Sequence, residues 1–224
     1  MPLARPSFGG AAALLALLLA LPAQAAGEAG AKEGCSHCDA EKARAAQKRP
    51  ASAADAAVTV VDRELRDQDG RAVRFARDVV GKDVVVMDFV FTHCTTICPV
   101  LSSKMARLQQ LLGDRLGKGV RLASLSLDPV RDTPERLKAW GAKFKAGPHW
   151  QLVSGRQQDQ EAVLRGLGAY VADYAQHPPM ILVGDGRSGR WVRVNGFPDP
   201  QKVVALVDEL MAARKTTTAR AGGN

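Results

Sequence analysis

The feature that most constrains the fold is a run of eight residues, Val84–Phe91, in which only Asp88 is not apolar. Apolar residues that follow one another without alternation indicate a strand that is covered on both faces. A helical period follows over Ile97–Leu112, and a second buried strand is predicted over Val120–Leu127. Strands that alternate with helices predict an α/β sheet with helices packed on both of its faces.

Turn and cap residues delimit the remaining elements. The sequence Asp67-Gln68-Asp69-Gly70 between the apolar segments Val58–Val61 and Val73–Phe75 predicts an N-terminal β-hairpin. Thr133-Pro134-Glu135 has the residues of a helix start, with threonine as the N-cap and proline at the first helical position. The other predicted elements are a strand at Trp150–Val153, a helix at Gln157–Gly168, a hairpin of Met180–Gly184 and Trp191–Asn195, and a last helix at Pro200–Ala213.

The charge and the aromatic content exclude several classes of protein. The 224 residues carry 31 lysines and arginines against 23 acidic residues, a net charge of +8, and the basic residues are scattered along the chain. Aromatic residues make up only 5% of the chain, too few for a surface that stacks the bases of a single strand. We therefore expect no nucleic-acid partner. The absence of long apolar runs also excludes a protein that crosses the membrane several times.

The first 25 residues have the pattern of a secretory signal peptide. Arg5 precedes the apolar stretch Phe8–Leu21, Pro22 breaks it, and Ala23-Gln24-Ala25 supplies a cleavage site. We expect cleavage after Ala25 and a mature protein in the periplasm. The alternative is an uncleaved segment that anchors the chain in the inner membrane.

The mature chain divides into three parts. Residues 26–57, rich in Ala, Gly, Lys and Glu, are predicted to form a flexible arm that carries Cys35, His37 and Cys38. Residues 58–213 are predicted to form the folded domain, and residues 214–224 a disordered tail. Two thiols and an imidazole on the arm suit either a second site for metal capture or redox exchange, or a small or incidental disulfide pair. Both interpretations stay open.

The main chemical signal is the loop Thr92–Pro99, which contains Cys94 and Cys98. The loop follows a central strand and opens a helix, and sites in α/β sheets form at the carboxyl ends of strands. Thiols four residues apart can share one side of a helical turn, and a helix N-terminus stabilises thiolates. Thiolates of this kind serve metal binding and disulfide exchange. The alternative is a structural disulfide, which would close too short a loop to stabilise much.

Two further residues are predicted to lie near this loop. His177 precedes a late strand, and Pro178 and Pro179 restrict the backbone beside it, which indicates that the direction of its side chain matters. Asp128 follows the second central strand. We expect it to contact the residues that bind directly and to orient them, without binding directly itself.

Taken together, these motifs resemble the Sco/SenC family. The resemblance rests on Phe91-Thr92-His93-Cys94-x3-Cys98-Pro99, on Ser126-x-Asp128-Pro129-x-Arg131-Asp132-Thr133-Pro134 and on the late histidine, in the family's order. It implies a thioredoxin-like fold with an N-terminal hairpin and a copper site made by Cys94, Cys98 and His177. It also implies a role in assembling the CuA centre of cytochrome oxidase. Gln176 stands where many members have Asp.

The donor set agrees with copper. Two thiolates and one imidazole suit Cu(I), with Cu(II) as a second state, whereas structural zinc prefers four ligands in a closed site. The expected function is a periplasmic copper metallochaperone. The expected partners are the oxidase subunit that carries CuA, other periplasmic copper carriers and thiol reductases.

Two other activities compete with this interpretation. A thiol-disulfide oxidoreductase, reducing the cysteines of a periplasmic partner, would need the redox pair Cys94 and Cys98 but not His177. A peroxidase is disfavoured, because Phe91 stands where the peroxiredoxin pattern has proline.

Overall fold

The computed structural model describes residues 53–221, with side-chain surroundings described as far as Arg214. The expected signal segment and the three arm residues Cys35, His37 and Cys38 lie outside the described residues. Within them, one mixed sheet holds eight strands in the spatial order β1-β8-β7-β4-β5-β6-β2-β3. The strands are β1 (Ala53–Asp55), β2 (Glu64–Asp67), β3 (Ala72–Arg74), β4 (Val84–Val90), β5 (Val120–Ser126), β6 (Trp150–Ser154), β7 (Met180–Asp185) and β8 (Trp191–Asn195).

Strand β4 lies in the middle of the sheet, as its unbroken apolar sequence predicts. It pairs in parallel with β5 and antiparallel with β7, and all seven of its residues are buried. The parallel arrangement continues from β5 to β6. The carboxyl ends of β4 and β5 therefore meet at one edge of the sheet, and the cysteine loop leaves from that edge.

Helices cover both faces of the sheet, which confirms the predicted layers. The helices are α1 (Ile97–Leu112), α2 (Pro134–Lys143), α3 (Gln157–Gly166) and α4 (Pro200–Ala221). Helices α1, α2 and α4 share one apolar core with the sheet, and α3 packs into a second core on the opposite face together with a π-helical turn at Phe75–Val80. Thr133 caps α2 as predicted, because its side chain accepts the N–H of Arg136.

The predicted hairpin is present, but one of its strands lies elsewhere. Val58–Val61 is not a strand; the hairpin is made by β2 and β3, joined through the Asp67–Gly70 turn, in which Gly70 has a φ of 77°. The N–H of Thr59 donates to the carbonyl of Gly166 at the end of α3, so that this segment pairs with a helix end. A Cβ on Gly166 would lie 2.3 Å from the Thr59 oxygen, which explains the glycine.

Both predicted ends of the domain are displaced. The sheet begins at Ala53, before the expected residue 58, because β1 pairs with β8. The last helix extends to Ala221, past the predicted end of the domain at residue 213. The guanidinium of Arg214, the first residue past that predicted end, lies 2.5 Å from the buried carboxylate of Asp185. No helix between residues 53 and 221 is long and apolar enough to cross a membrane.

Candidate metal centre

The cysteine loop is fixed to the edge of the sheet by Asp132. One oxygen of this buried carboxylate accepts the backbone N–H of Thr92 at 3.0 Å and the Thr92 hydroxyl at 2.7 Å. The other oxygen accepts the hydroxyl of Ser126, at the end of β5, at 2.6 Å. The start of the loop is therefore tied to the neighbouring strand before helix α1 begins.

Cys94, shortly before α1, and Cys98, in the first turn of α1, are free thiols, and both are buried. The N–H of Cys98 donates to the sulfur of Cys94 at 3.4 Å. The first N–H groups of a helix have no partner within the helix, and a side-chain acceptor usually supplies one. Thr96, the N-cap by position, makes no such bond with its side chain, so the Cys94 sulfur takes that place.

The two thiols differ in acidity. Burial acts to raise the pKa of Cys94, but hydrogen bonds from the backbone of Cys98 and Thr96 outweigh it, and the pKa lies below that of an ordinary thiol. Burial raises the pKa of Cys98 well above the ordinary value, and the neighbouring Cys94 and Asp88 add to the rise. Cys94 is therefore the thiol that ionises first.

His177 lies on the other side of the same site. It follows a 3₁₀ turn at Tyr174–Gln176 and donates its N–H to the carbonyl of Tyr174 at 3.1 Å. Its ring packs against Phe89, with centroids 5.2 Å apart, and its Nε2 is buried without a hydrogen-bond partner. Burial lowers the pKa of His177, and hydrogen bonds with the backbone of Ala169 and Pro178 offset part of that effect. A neutral imidazole is the form that binds metals.

The fold brings the three predicted ligands together. Cys94, Cys98 and His177 line one cavity of about 30 Å³, whose other walls are mainly apolar. Within the part of the chain that the structure describes, however, no group of three or more His, Cys, Asp or Glu side chains is arranged to hold a metal ion. The three residues thus share a cavity without converging on one point.

Asp128 lies beside this cavity rather than in its wall, and it faces the exposed His93. One Asp128 oxygen is 3.8 Å from His93 Nε2 and 3.7 Å from the Arg131 guanidinium. Arg131 also donates to the Tyr174 hydroxyl at 2.8 Å and lies 3.2 Å from His93 Nε2. Asp128 is thus near His93, which precedes Cys94, and is connected through Arg131 to Tyr174, which precedes His177.

Sequence reasoning did not identify three residues of this region. Tyr174 joins the site through Arg131 and through Phe91, whose ring lies 5.1 Å away, and no local pattern signals that contact. Gln160 reaches the end of β5 from helix α3 by donating to the Ser126 carbonyl at 2.6 Å. Asp88 did have a signal, as the one charged residue in the apolar run. It is fully buried, and burial raises its pKa to about 7.

Comparison with known proteins identifies the family. The SCO1 protein homolog of Bacillus subtilis is 33% identical over 110 residues, covering 48% of this chain and 55% of the relative. Bradyrhizobium japonicum ScoI, solved with copper bound, is 24% identical with a TM-score of 0.56, covering 67% of this chain and 98% of that one. BsSco, described as a member of the Sco family of cytochrome c oxidase assembly proteins, is 24% identical with a TM-score of 0.58, covering 71% and 95%.

These similarities differ in what they establish. The chain spans about half the length of the curated relatives it matches. The two solved structures show the fold, which is thioredoxin-like as predicted. The SCO1/SenC family model matches residues 51–185, which is more than half of the 224 residues and includes the cysteine loop and His177. The chain therefore belongs to the SCO1/SenC family.

Proposed function

We propose that this protein is a periplasmic copper metallochaperone that delivers copper to the CuA centre of a respiratory cytochrome oxidase. The observation that carries the proposal is the shared cavity, since two thiols and one imidazole from distant parts of the chain line it. The copper in the Bradyrhizobium japonicum structure and the description of BsSco as an oxidase assembly protein support it.

Cys94, Cys98 and His177 would hold the copper, which is the cargo. The cavity between them, about 30 Å³, is small and has room for a single ion. His177 Nε2 has no competing partner there, and the thiolates are soft donors that favour Cu(I), with Cu(II) as the second state. Because the three side chains do not yet converge, loading requires them to turn towards one another.

Three ligands leave one side of the ion open. Closed four-ligand sites retain their metal, whereas an open position lets a second protein contribute a ligand before the first protein releases its own. Such an exchange suits delivery to the oxidase subunit that carries CuA. The same exchange, in the opposite direction, suits loading by another periplasmic copper carrier.

A second candidate function is that of a thiol-disulfide oxidoreductase, and the difference in acidity between the two thiols favours it. The Cys94 thiolate would attack a partner disulfide, forming a mixed disulfide and releasing one partner thiol. Cys98, after losing its proton, would then attack the Cys94 sulfur. That step forms the Cys94–Cys98 disulfide and releases the second partner thiol, so the partner gains two electrons and this protein loses two. The two functions are compatible, because a copper site must be reduced before it is filled.

The arm residues Cys35, His37 and Cys38 would provide a second copper-capturing or redox site. Two thiols and an imidazole within four residues suit Cu(I). A small disulfide between Cys35 and Cys38 remains the alternative. Loss of a second equivalent of bound copper in Cys35→Ser would favour the copper site.

An anaerobic titration tests the proposal. The reduced protein competes for Cu(I) with a chromophoric chelator, and the affinity is compared among wild type, His177→Ala and His149→Ala. His149 is an exposed histidine directly before β6, so it serves as the matched control. We expect His177→Ala to weaken Cu(I) binding at least tenfold and His149→Ala to leave it unchanged.

The same variants separate the two candidate functions. Thiol exchange with a model disulfide should survive in His177→Ala, whereas Cys94→Ser and Cys98→Ser should lose both activities. Equal copper affinity in wild type and His177→Ala would refute the three-ligand site. The oxidoreductase would then be the better assignment.

A further inference from the structure

A second, larger cavity lies next to the metal centre. Its volume is about 200 Å³, and it is bounded by the end of β5, the first turns of helix α3 and the segment before His177. Leu127 lines both cavities, and Tyr174 lines the larger one while its carbonyl accepts the N–H of His177. Whatever occupies the larger cavity therefore contacts the same residues that position the ligands.

Two buried acceptor atoms belong to residues that line this cavity. Gln160 is completely buried and Asp128 is 5% exposed, yet Gln160 Oε1 and Asp128 Oδ2 have no hydrogen-bond partner. Buried polar atoms without a partner are uncommon in proteins, because each has lost its hydration without a replacement. Both residues line the cavity, so a small turn of either side chain would present an unpaired oxygen to a donor that enters it.

The orientation of the Gln160 amide is not arbitrary. Its Nε2 donates to the Ser126 carbonyl at 2.6 Å, and the reverse orientation would place two oxygens against each other. The Oε1 atom is therefore the free end of the amide.

Arg131, the nearest cation, does not satisfy Asp128 Oδ2. Its guanidinium is 3.7 Å from that oxygen, beyond hydrogen-bond distance, and it donates instead to the Tyr174 hydroxyl. The Arg131 charge and His93 Nε2, 3.8 Å away, lie beside this oxygen without giving it a hydrogen bond.

The remaining walls define the kind of group that fits. Leu127, Leu164 and Val171 are apolar, whereas Glu161 adds a second carboxylate, which lies 3.7 Å from the exposed Arg165. An apolar stem that ends in several N–H donors matches this combination, and lysine and arginine have that form. We propose that this cavity binds the cationic end of a lysine or arginine side chain presented by a protein partner, beside the metal centre.

The proposal is tested on the reduced, copper-free, full-length chain, so that it does not depend on the proposed copper function. The ¹⁵N-labelled protein is titrated separately with Nα-acetyl-lysine methylamide, the corresponding arginine derivative, and the norleucine derivative, which has an apolar stem without the charge. Free butylammonium is a fourth probe, which distinguishes a small amine from a peptide side chain. We expect saturable amide shifts in residues 127–130, 160–164 and 170–174 with the two cationic amino acids, at about millimolar affinity.

Two variants and a control show where the probes bind. Asp128→Asn keeps the shape of the side chain and removes its charge, and should weaken the binding at least tenfold. Ala172→Phe places a ring at an exposed position of the cavity wall and should abolish the binding, whereas Ala139→Phe, at an exposed position of α2, should not.

Several results would overturn the proposal. Shifts of equal size with the norleucine probe would show an apolar cavity without preference for a cation. Binding that is unchanged in Ala172→Phe would show that the probes bind elsewhere, and no saturable shift with any probe would show that the cavity does not take a cationic side chain. Saturation by butylammonium but not by the amino acid derivatives would assign the site to a free amine instead of a partner's side chain.

Discussion

The side chains of Asp88 and Asp132 are both buried, with 1% exposure or less. They differ in their hydrogen bonds from other residues: Asp132 accepts three, whereas Asp88 accepts one, from Ser124. Asp132 joins the cysteine loop to β5. Asp88 lies within β4 with Oδ2 unpaired, and burial raises its pKa to about 7. A buried carboxylate can therefore have either of two roles. With several hydrogen-bond donors around it, it connects parts of the structure; with few donors, it takes up a proton.

The largest effect is expected from Asp88→Asn, measured as stability against pH. The pKa of Asp88 is about 7 in the folded chain against an ordinary value of 3.8, so the folded form keeps a proton that the unfolded form loses. Wild-type stability should fall as the pH rises from about 4 to 7, by up to about 4 kcal/mol, and level off above that.

The variant cannot lose this proton. Urea unfolding should therefore give similar stability for wild type and Asp88→Asn near pH 4, and a more stable variant near pH 8. A difference between the two proteins that stays constant with pH would contradict the assigned protonation of Asp88.

Asp132→Ala should destabilise the protein by about 3 kcal/mol, because it leaves the Thr92 N–H and the Ser126 hydroxyl without their acceptor. The midpoint of urea unfolding measures this loss. A loss below about 1 kcal/mol would show that water replaces the carboxylate and that the tie is weak.

Ser124→Ala removes the one donor to Asp88 and also the acceptor of the Trp150 indole N–H, which is 2.9 Å away. We expect a loss of about 2 kcal/mol, larger at pH 8 than at pH 5, since the charged form of Asp88 depends most on that donor. Ser103→Ala is the control, because that hydroxyl bonds only its own helix at an exposed position. An equal loss at both pH values would mean that the Trp150 contact accounts for the whole effect.

Thr92→Val should have the smallest effect, about 1 kcal/mol. The substitution removes the hydroxyl that donates to Asp132 at 2.7 Å and keeps the backbone N–H that donates to the same oxygen. Thermal or urea unfolding measures the loss. A loss as large as that of Asp132→Ala would show that the hydroxyl, and not the backbone bond, ties the loop to β5.

The sequence predictions are accurate where an element depends on residues close together in the chain, and less accurate where it depends on distant residues. The buried strand at Val84–Phe91 and the helix at Ile97–Leu112 are recognisable because their periodicity is local, and the structure confirms both to within one residue. Val58–Val61 has the composition of a strand, yet its backbone bonds Gly166, more than 100 residues away along the chain. Arg214 in α4 likewise forms an ion pair with Asp185, on a strand of the sheet.

The candidate site divides in the same way. Cys94, Cys98 and His177 are identified from residue type, spacing and the neighbouring prolines, and the structure places them around one cavity. No local sequence pattern identifies Tyr174 or Gln160 as part of the site. Tyrosine is common in turns, and glutamine is common in helices. Only the packing of α3 against the end of β5 gives Gln160 its position beside Asp128.

The amino-acid sequence by itself determined the layers, the central strand, the family resemblance and the chemical identity of the proposed ligands, because each depends on residue types at short spacing. The tertiary structure decided the acidity of each thiol, the protonation of Asp88 and the unpaired acceptors of the second cavity. These properties depend on burial and on which donors reach a given atom, and both are set by contacts between segments far apart in the chain.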